Sequence, residues 1–169
     1  MSDADQTRPG EIEFFEATEV PTVVVRRKDY PMTEMGALFD STFSALFPAL
    51  AEAGIQPAGI PFSLHTRMPT DTVDIEVGIP VSSPLPAPVE RGDVLLEPST
   101  QPAGTAARTA HIGGYEGLGD AWGAFMGGIV AAGKAPAFPF WEIYVTEPSP
   151  DMDPATLRTD LVTLVTDQH

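Results

Sequence analysis

One order of sequence patterns occurs twice along this chain, and that duplication restricts its folds more than any other feature. Residues 22–30 (TVVVRRKDY) read as a β-branched strand, and the turn at Pro31 leads to Thr33, the expected N-cap of a helix. From Met35 the positions Leu38, Phe39, Thr42, Leu46, Ala49, Leu50 and Ala53 recur at helical spacing. This predicts a helix of about 20 residues that stops at Gly54. After the Gln56-Pro57 break come strands at 60–67 and 73–81, and in the second Val73, Ile75, Val77 and Ile79 alternate with Asp74, Glu76 and Gly78. A proline-rich connector (SSPLPAPVERGD, 82–93) follows, and the order then returns. There is a strand at 104–112, then a helix at 115–132 striped by Leu118, Ala121, Trp122, Phe125 and Ile129 and stopped at Gly133. Strands at 140–146 and 157–165 complete the order, separated by the turn PSPDMDP. AGIQP at 53–57 matches AGKAP at 132–136, and Pro61-Phe62 matches Pro139-Phe140, at the same point of each copy.

The expected fold is therefore α+β: two tandem β-α-β-β units with pseudo-twofold symmetry, antiparallel sheets, helices on one face and a central ligand cleft. Repeat one covers about 20–81 and repeat two about 94–166, in a single domain at 19–169 behind a flexible N-terminal segment at 1–18.

Composition narrows the function. Nine basic residues against 24 acidic ones give a net charge of −15, which repels phosphate backbones and anionic lipids. Direct nucleic-acid binding is not expected, and the run Arg26, Arg27, Lys28 is too short to form a patch. Cysteine is absent, which removes disulfides, thiolate metal sites and cysteine nucleophiles. The polar, acidic start lacks the apolar run of a secretory signal, and the weakly polar stretch at 121–133 is too short to span a bilayer. A cytoplasmic protein without a membrane segment is expected. His65, His111 and His169 show no metal-ligand spacing, so neither a metal nor another cofactor is expected. GGYEGLG at 113–119 lies between strand and helix like a phosphate loop, but it lacks that spacing and carries Glu116, so it reads as a tight turn.

The strand around Trp141 carries the sharpest site signal. A period of two puts Trp141, Ile143 and Val145 on one side, expected in the core, and Phe140, Glu142 and Tyr144 on the other. That second face sets one carboxylate between two aromatic rings. Two readings stand: a surface carboxylate of an amphipathic strand, or a partly desolvated group that pairs with a cation or acts on a proton. Glu76 and Asp160 lie on the polar faces of the third strands, where a solvated face explains them, although Glu76 is also a ligand-binding candidate. Trp122 and Phe125 read as core. Tyr115 could line a cleft mouth or staple its turn.

The run PFWEIYVTEPSPDMDPATLRTDLVTLV, with GGYEGLGDAWGAF upstream and DIEVGIPV at 74–81, resembles GyrI-like domains over most of 20–165. The aromatic-Glu-x-Tyr strand is its most specific element. The resemblance implies a cleft between the two repeats that receives planar, lipophilic, often cationic small molecules, with Glu142 as their charge partner and Tyr144, Trp141 and Phe140 beside it. Asp160 departs from the glutamate of many relatives. Such domains serve as effector-binding halves of multidrug-responsive regulators, as an inhibitor of DNA gyrase and as free-standing proteins. Only about 20 residues precede the first strand, and the segment is acidic overall, which leaves no room for a helix-turn-helix, so free-standing action is expected. Some relatives hydrolyse cyclopropane-bearing DNA-alkylating compounds in detoxification; here the resemblance implies Glu142 as general base with Tyr144 in the catalytic site. Modulation of gyrase is a third implied role.

Overall fold

The computed structural model describes residues 10–146 and 153–167. Residues 1–9 of the expected N-terminal segment, residues 148–152 of the PSPDMDP turn and His169 lie outside the described residues. Nine strands and two longer helices are seen among those described: β1 (Glu13–Ala17), β2 (Val20–Pro31), α1 (Met35–Ala53), β3 (Phe62–His65), β4 (Thr72–Pro80), β5 (Val89–Arg91), β6 (Val94–Gln101), β7 (Gly104–Ile112), α2 (Leu118–Ala131), β8 (Lys134–Tyr144) and β9 (Arg158–Asp167). The fold is α+β and its ladders are antiparallel.

The chain forms two compact units, one of residues 18–103 and one of residues up to 17 together with those from 104 onward. In the first, the strands run β3-β4-β2-β6-β5; in the second, β1-β7-β9-β8. Both follow the repeated strand-helix-strand-strand order. The unit boundaries differ from those read in the sequence. Residues 13–17, expected within a flexible segment, pair as β1 with β7, and β6, expected at the start of repeat two, pairs with β2. The connector holds β5, paired to β6. Each unit thus takes one strand from the chain that precedes the other unit's first long strand. Such a pairing joins segments far apart in sequence, and hydrophobic period alone does not report it.

In the first unit the odd-numbered apolar residues of β4 (Val73, Ile75, Val77, Ile79) meet Val23, Val25, Leu38, Leu46 and Leu50, so α1 covers that face of the sheet. The helix ends as expected: Gly54 is left-handed at φ 72°, the Ile55 N–H reaches the Leu50 carbonyl at 3.0 Å, and Ile55 packs into the core. Its start differs. Thr33 lies in a short 3-10 turn at Met32–Glu34, and no side-chain cap bond is made, so the expected Thr33 cap is not used. In the second unit α2 lies on Ala107, Leu161 and Val165 through Phe125 and Ile129. Tyr115–Gly117 is a separate 3-10 turn before α2, held by a contact of 3.0 Å between His111 Nε2 and the Gly114 carbonyl. This confirms the tight turn.

His65 is buried, and burial, aided by the nearby Arg67 charge, lowers its pKa from 6.5 to about 4. The folded-state pKa lies below the unfolded one, so the unfolded chain takes up the proton first. Stability is full above the unfolded pKa and falls as pH drops through the window from 6.5 to about 4. Denaturant melts should show a loss of about 2 kcal/mol between pH ~7 and ~5, absent in His65→Gln. An equal loss in that variant would assign the slope to other groups.

Candidate functional site

The polypeptide of β8 runs from Lys134, earlier than expected, and its ladder to β9 skips between Ala137 and Phe140. After the skip, Phe140 lies opposite Thr163, Glu142 opposite Leu161 and Tyr144 opposite Thr159. Residues paired across an antiparallel ladder point to the same side. Because Leu161 is in the core under α2, Phe140, Glu142 and Tyr144 share the face that α2 covers. Trp141, opposite Val162, points the other way and is buried. The expected division of the strand into two sets is correct. Trp141 is buried, as expected for its side; the Glu142 face, expected away from the core, is covered by α2, and Trp141, which the resemblance sets beside Glu142, points away from it.

Glu142 is half-buried, and both of its oxygens accept hydrogen bonds. The Trp122 indole Nε1 donates to Oε2 at 2.7 Å, and the Tyr144 hydroxyl donates to Oε1 at 2.8 Å. Trp122, read from its helical stripe as core, therefore has a polar partner in the site. Its half-buried ring lies 4.6 Å from Phe140 and 5.5 Å from Phe125. Phe138 packs 5.8 Å from Phe140 and is 48% exposed. Tyr115 stands edge-on to Tyr144 at 6.0 Å and 76°. Burial, then the Glu142 charge, raises the Tyr115 pKa. Among the described residues no Lys, Arg or His forms an ion pair with Glu142. A carboxylate among aromatic rings, bonded only to neutral donors, keeps its capacity to pair with a cation.

The other candidates lie elsewhere. Glu76 sits on the face of β4 opposite α1, where Arg26 (3.2 Å) and the Ser99 hydroxyl (2.7 Å) engage it; Arg26 also reaches Glu97 at 3.2 Å. It is a charge-paired residue of the first unit, whereas Glu142 belongs to the second. When the registers of the two units are superposed, Asp160 takes the place of Glu76, and Ser63 and His65 take the places of Glu142 and Tyr144. The duplication therefore carries this site once. Asp160 is bound by Arg158 at 2.9 Å; burial raises its pKa while Arg158 and Arg108 oppose the rise. An open groove of about 490 Å³ beside α1, with Ser41, Ser44 and Arg91 on its walls, has no aromatic lining. Among the described residues no group of three or more His, Cys, Asp or Glu is placed to hold a metal, and no helix is long and apolar enough to cross a membrane.

No protein-family model and no curated protein matches this sequence. Solved structures do. The EcmrR C-terminal domain superposes with a TM-score of 0.73 at 17% identity, covering 94% of this chain and 98% of that one. The fold is GyrI-like. EcmrR in its DNA complex gives a TM-score of 0.74 at 17% identity over 94% of this chain, which spans only 58% of that protein. The same GyrI-like fold is found in a hydrolase from Listeria innocua (TM-score 0.65, 12% identity, 97% and 96% coverage). It is found again in SAV2435 bound to tetraphenylphosphonium (TM-score 0.58, 9% identity, 92% and 94% coverage). At these identities the likeness is one of fold.

Proposed function

We propose that this chain is a GyrI-like small-molecule-binding protein that takes planar, lipophilic cations at the Glu142 site. The observation that carries the reading is the Glu142 carboxylate, set among Phe140, Tyr144, Tyr115 and Trp122 and, among the described residues, bonded only to neutral donors. A lipophilic cation gains charge pairing with Glu142 and contact with the rings, while its apolar body leaves water. The tetraphenylphosphonium bound to SAV2435 is a lipophilic cation, tetrahedral and not planar, held by the same fold, and it supports the lipophilic and cationic parts of the reading. Titration of the chain with a planar cationic dye should give saturable, one-to-one binding that weakens as salt rises. Binding that is non-saturable, or unchanged by salt and by loss of Glu142, would refute it.

A second reading rests on the 2.8 Å bond between Tyr144 and Glu142, which joins a carboxylate base to a hydroxyl acid. In hydrolysis of an electrophilic cyclopropane, Glu142 would accept a proton from water as its oxygen bonds a ring carbon. The broken C–C pair would pass into the conjugated acceptor group of the substrate, and a proton would return there through Tyr144. The hydrolase of the same fold from Listeria innocua gives this reading its support. It predicts product beyond one equivalent of protein, lost in Glu142→Gln; strictly stoichiometric consumption would count against it.

A further inference from the structure

Resting on the cation-binding reading above, we propose that Trp122 and Tyr144 make the Glu142 site selective for cations without N–H or O–H donors, such as quaternary ammonium and phosphonium ions, over protonated amines of the same skeleton. Each carboxylate oxygen already accepts one hydrogen bond, at 2.7 Å from Trp122 and 2.8 Å from Tyr144. A carboxylate offers about four lone-pair sites, so roughly half its accepting capacity is taken before a ligand arrives.

The two donors also fix its orientation. Trp122 belongs to α2 and Tyr144 to β8, so the carboxylate is clamped between a helix and a strand and cannot turn to follow an incoming N–H. The other groups around it are largely ring surface: Phe140 against Trp122 at 4.6 Å, Phe138 behind Phe140 at 5.8 Å, and Tyr115 edge-on to Tyr144 at 6.0 Å. The indole N–H is a donor only and offers nothing to another donor.

A protonated primary amine brings three N–H donors on a compact, strongly hydrated charge. On entering, it gives up water at three donors, and the roughly two lone-pair sites left on the fixed Glu142 carboxylate cannot meet them all. A quaternary cation spreads its charge over methyl or aryl groups, loses little hydration, and keeps both the attraction to Glu142 and the contact with ring faces. One unmet charged donor corresponds to about tenfold in affinity.

The test uses two matched ligands, 4-phenylbenzylamine in its protonated form and its N,N,N-trimethyl derivative, titrated calorimetrically into the chain at one pH and ionic strength. Wild type should bind the trimethyl compound about tenfold more tightly. Trp122→Phe keeps a ring against Phe140 but removes the N–H and frees an acceptor site on Oε2, so the ratio should fall towards one, mainly through tighter binding of the amine. Tyr144→Phe makes the same change at Oε1 and serves as the second variant, with circular dichroism confirming the fold of each. Equal affinities in wild type, or a tenfold ratio that survives both substitutions, would overturn the selectivity. If both compounds bind through Glu142 without discrimination, only the selectivity falls; if neither binds, the cation reading falls with it.

Discussion

Alanine at Gly78 is expected to destabilise the chain by on the order of 3 kcal/mol, or roughly 10 °C in melting temperature for a chain of this size. Gly78 sits in the last third of β4, flanked across the sheet by Val24 of β2 and Phe62 of β3. A Cβ there would lie 2.0 Å from the Val23 carbonyl oxygen, 2.8 Å from the Val24 Cα and 2.8 Å from its Cγ1. Two of these are backbone atoms, which move only if the β2–β4 ladder opens, so no rotamer change relieves the contact. Gly127 on α2 is the control. A Cβ there meets nothing within 4 Å, and alanine in a helix interior is favoured over glycine by about 1 kcal/mol. Thermal melts of the two variants should move in opposite directions; an unchanged melt for Gly78→Ala would mean that β2 and β4 approach less closely than described.

Glu142→Gln is expected to weaken cation binding by roughly a hundredfold, about 2–3 kcal/mol, with little effect on folding. Glutamine is close in shape, and its amide oxygen can still accept from either Trp122 or Tyr144, so the packing of α2 on β8 survives. What disappears is the negative charge, which in a half-buried, ring-lined setting is screened less than at the surface. Affinity for an uncharged ligand of the same shape should change by less than about threefold. If charged and uncharged ligands lose affinity equally, the substitution has disturbed the shape of the site, and charge pairing is not its basis.

Local signals in the sequence were reliable where one face of an element is clearly apolar. The stripe of Leu38, Leu46 and Leu50 with Gly54 behind it marks α1 to within two residues, and the expected strand at 104–112 is β7. The stretches 13–17 and 89–91 give no strand signal because they are short, charged edge strands without a long alternating run. Their partners in the sheet are set by tertiary packing. For the site, the period of two grouped Phe140, Glu142 and Tyr144 correctly, but both faces of β8 carry large aromatic residues. Pattern therefore cannot say which face the helix covers; it does put Trp141 on a buried side, and only the family resemblance sets that residue beside Glu142. Trp122 was missed as a site residue because a tryptophan on an apolar stripe looks like core; the signal that could have found it is its need, when buried, for a partner to its N–H.

The most direct measurement is a calorimetric titration of tetraphenylphosphonium into wild type and Glu142→Gln under identical conditions. Saturable binding to wild type and a loss of roughly a hundredfold in the variant are expected. Equal affinity for the two proteins would contradict the claim that the Glu142 carboxylate is the partner of a bound cation.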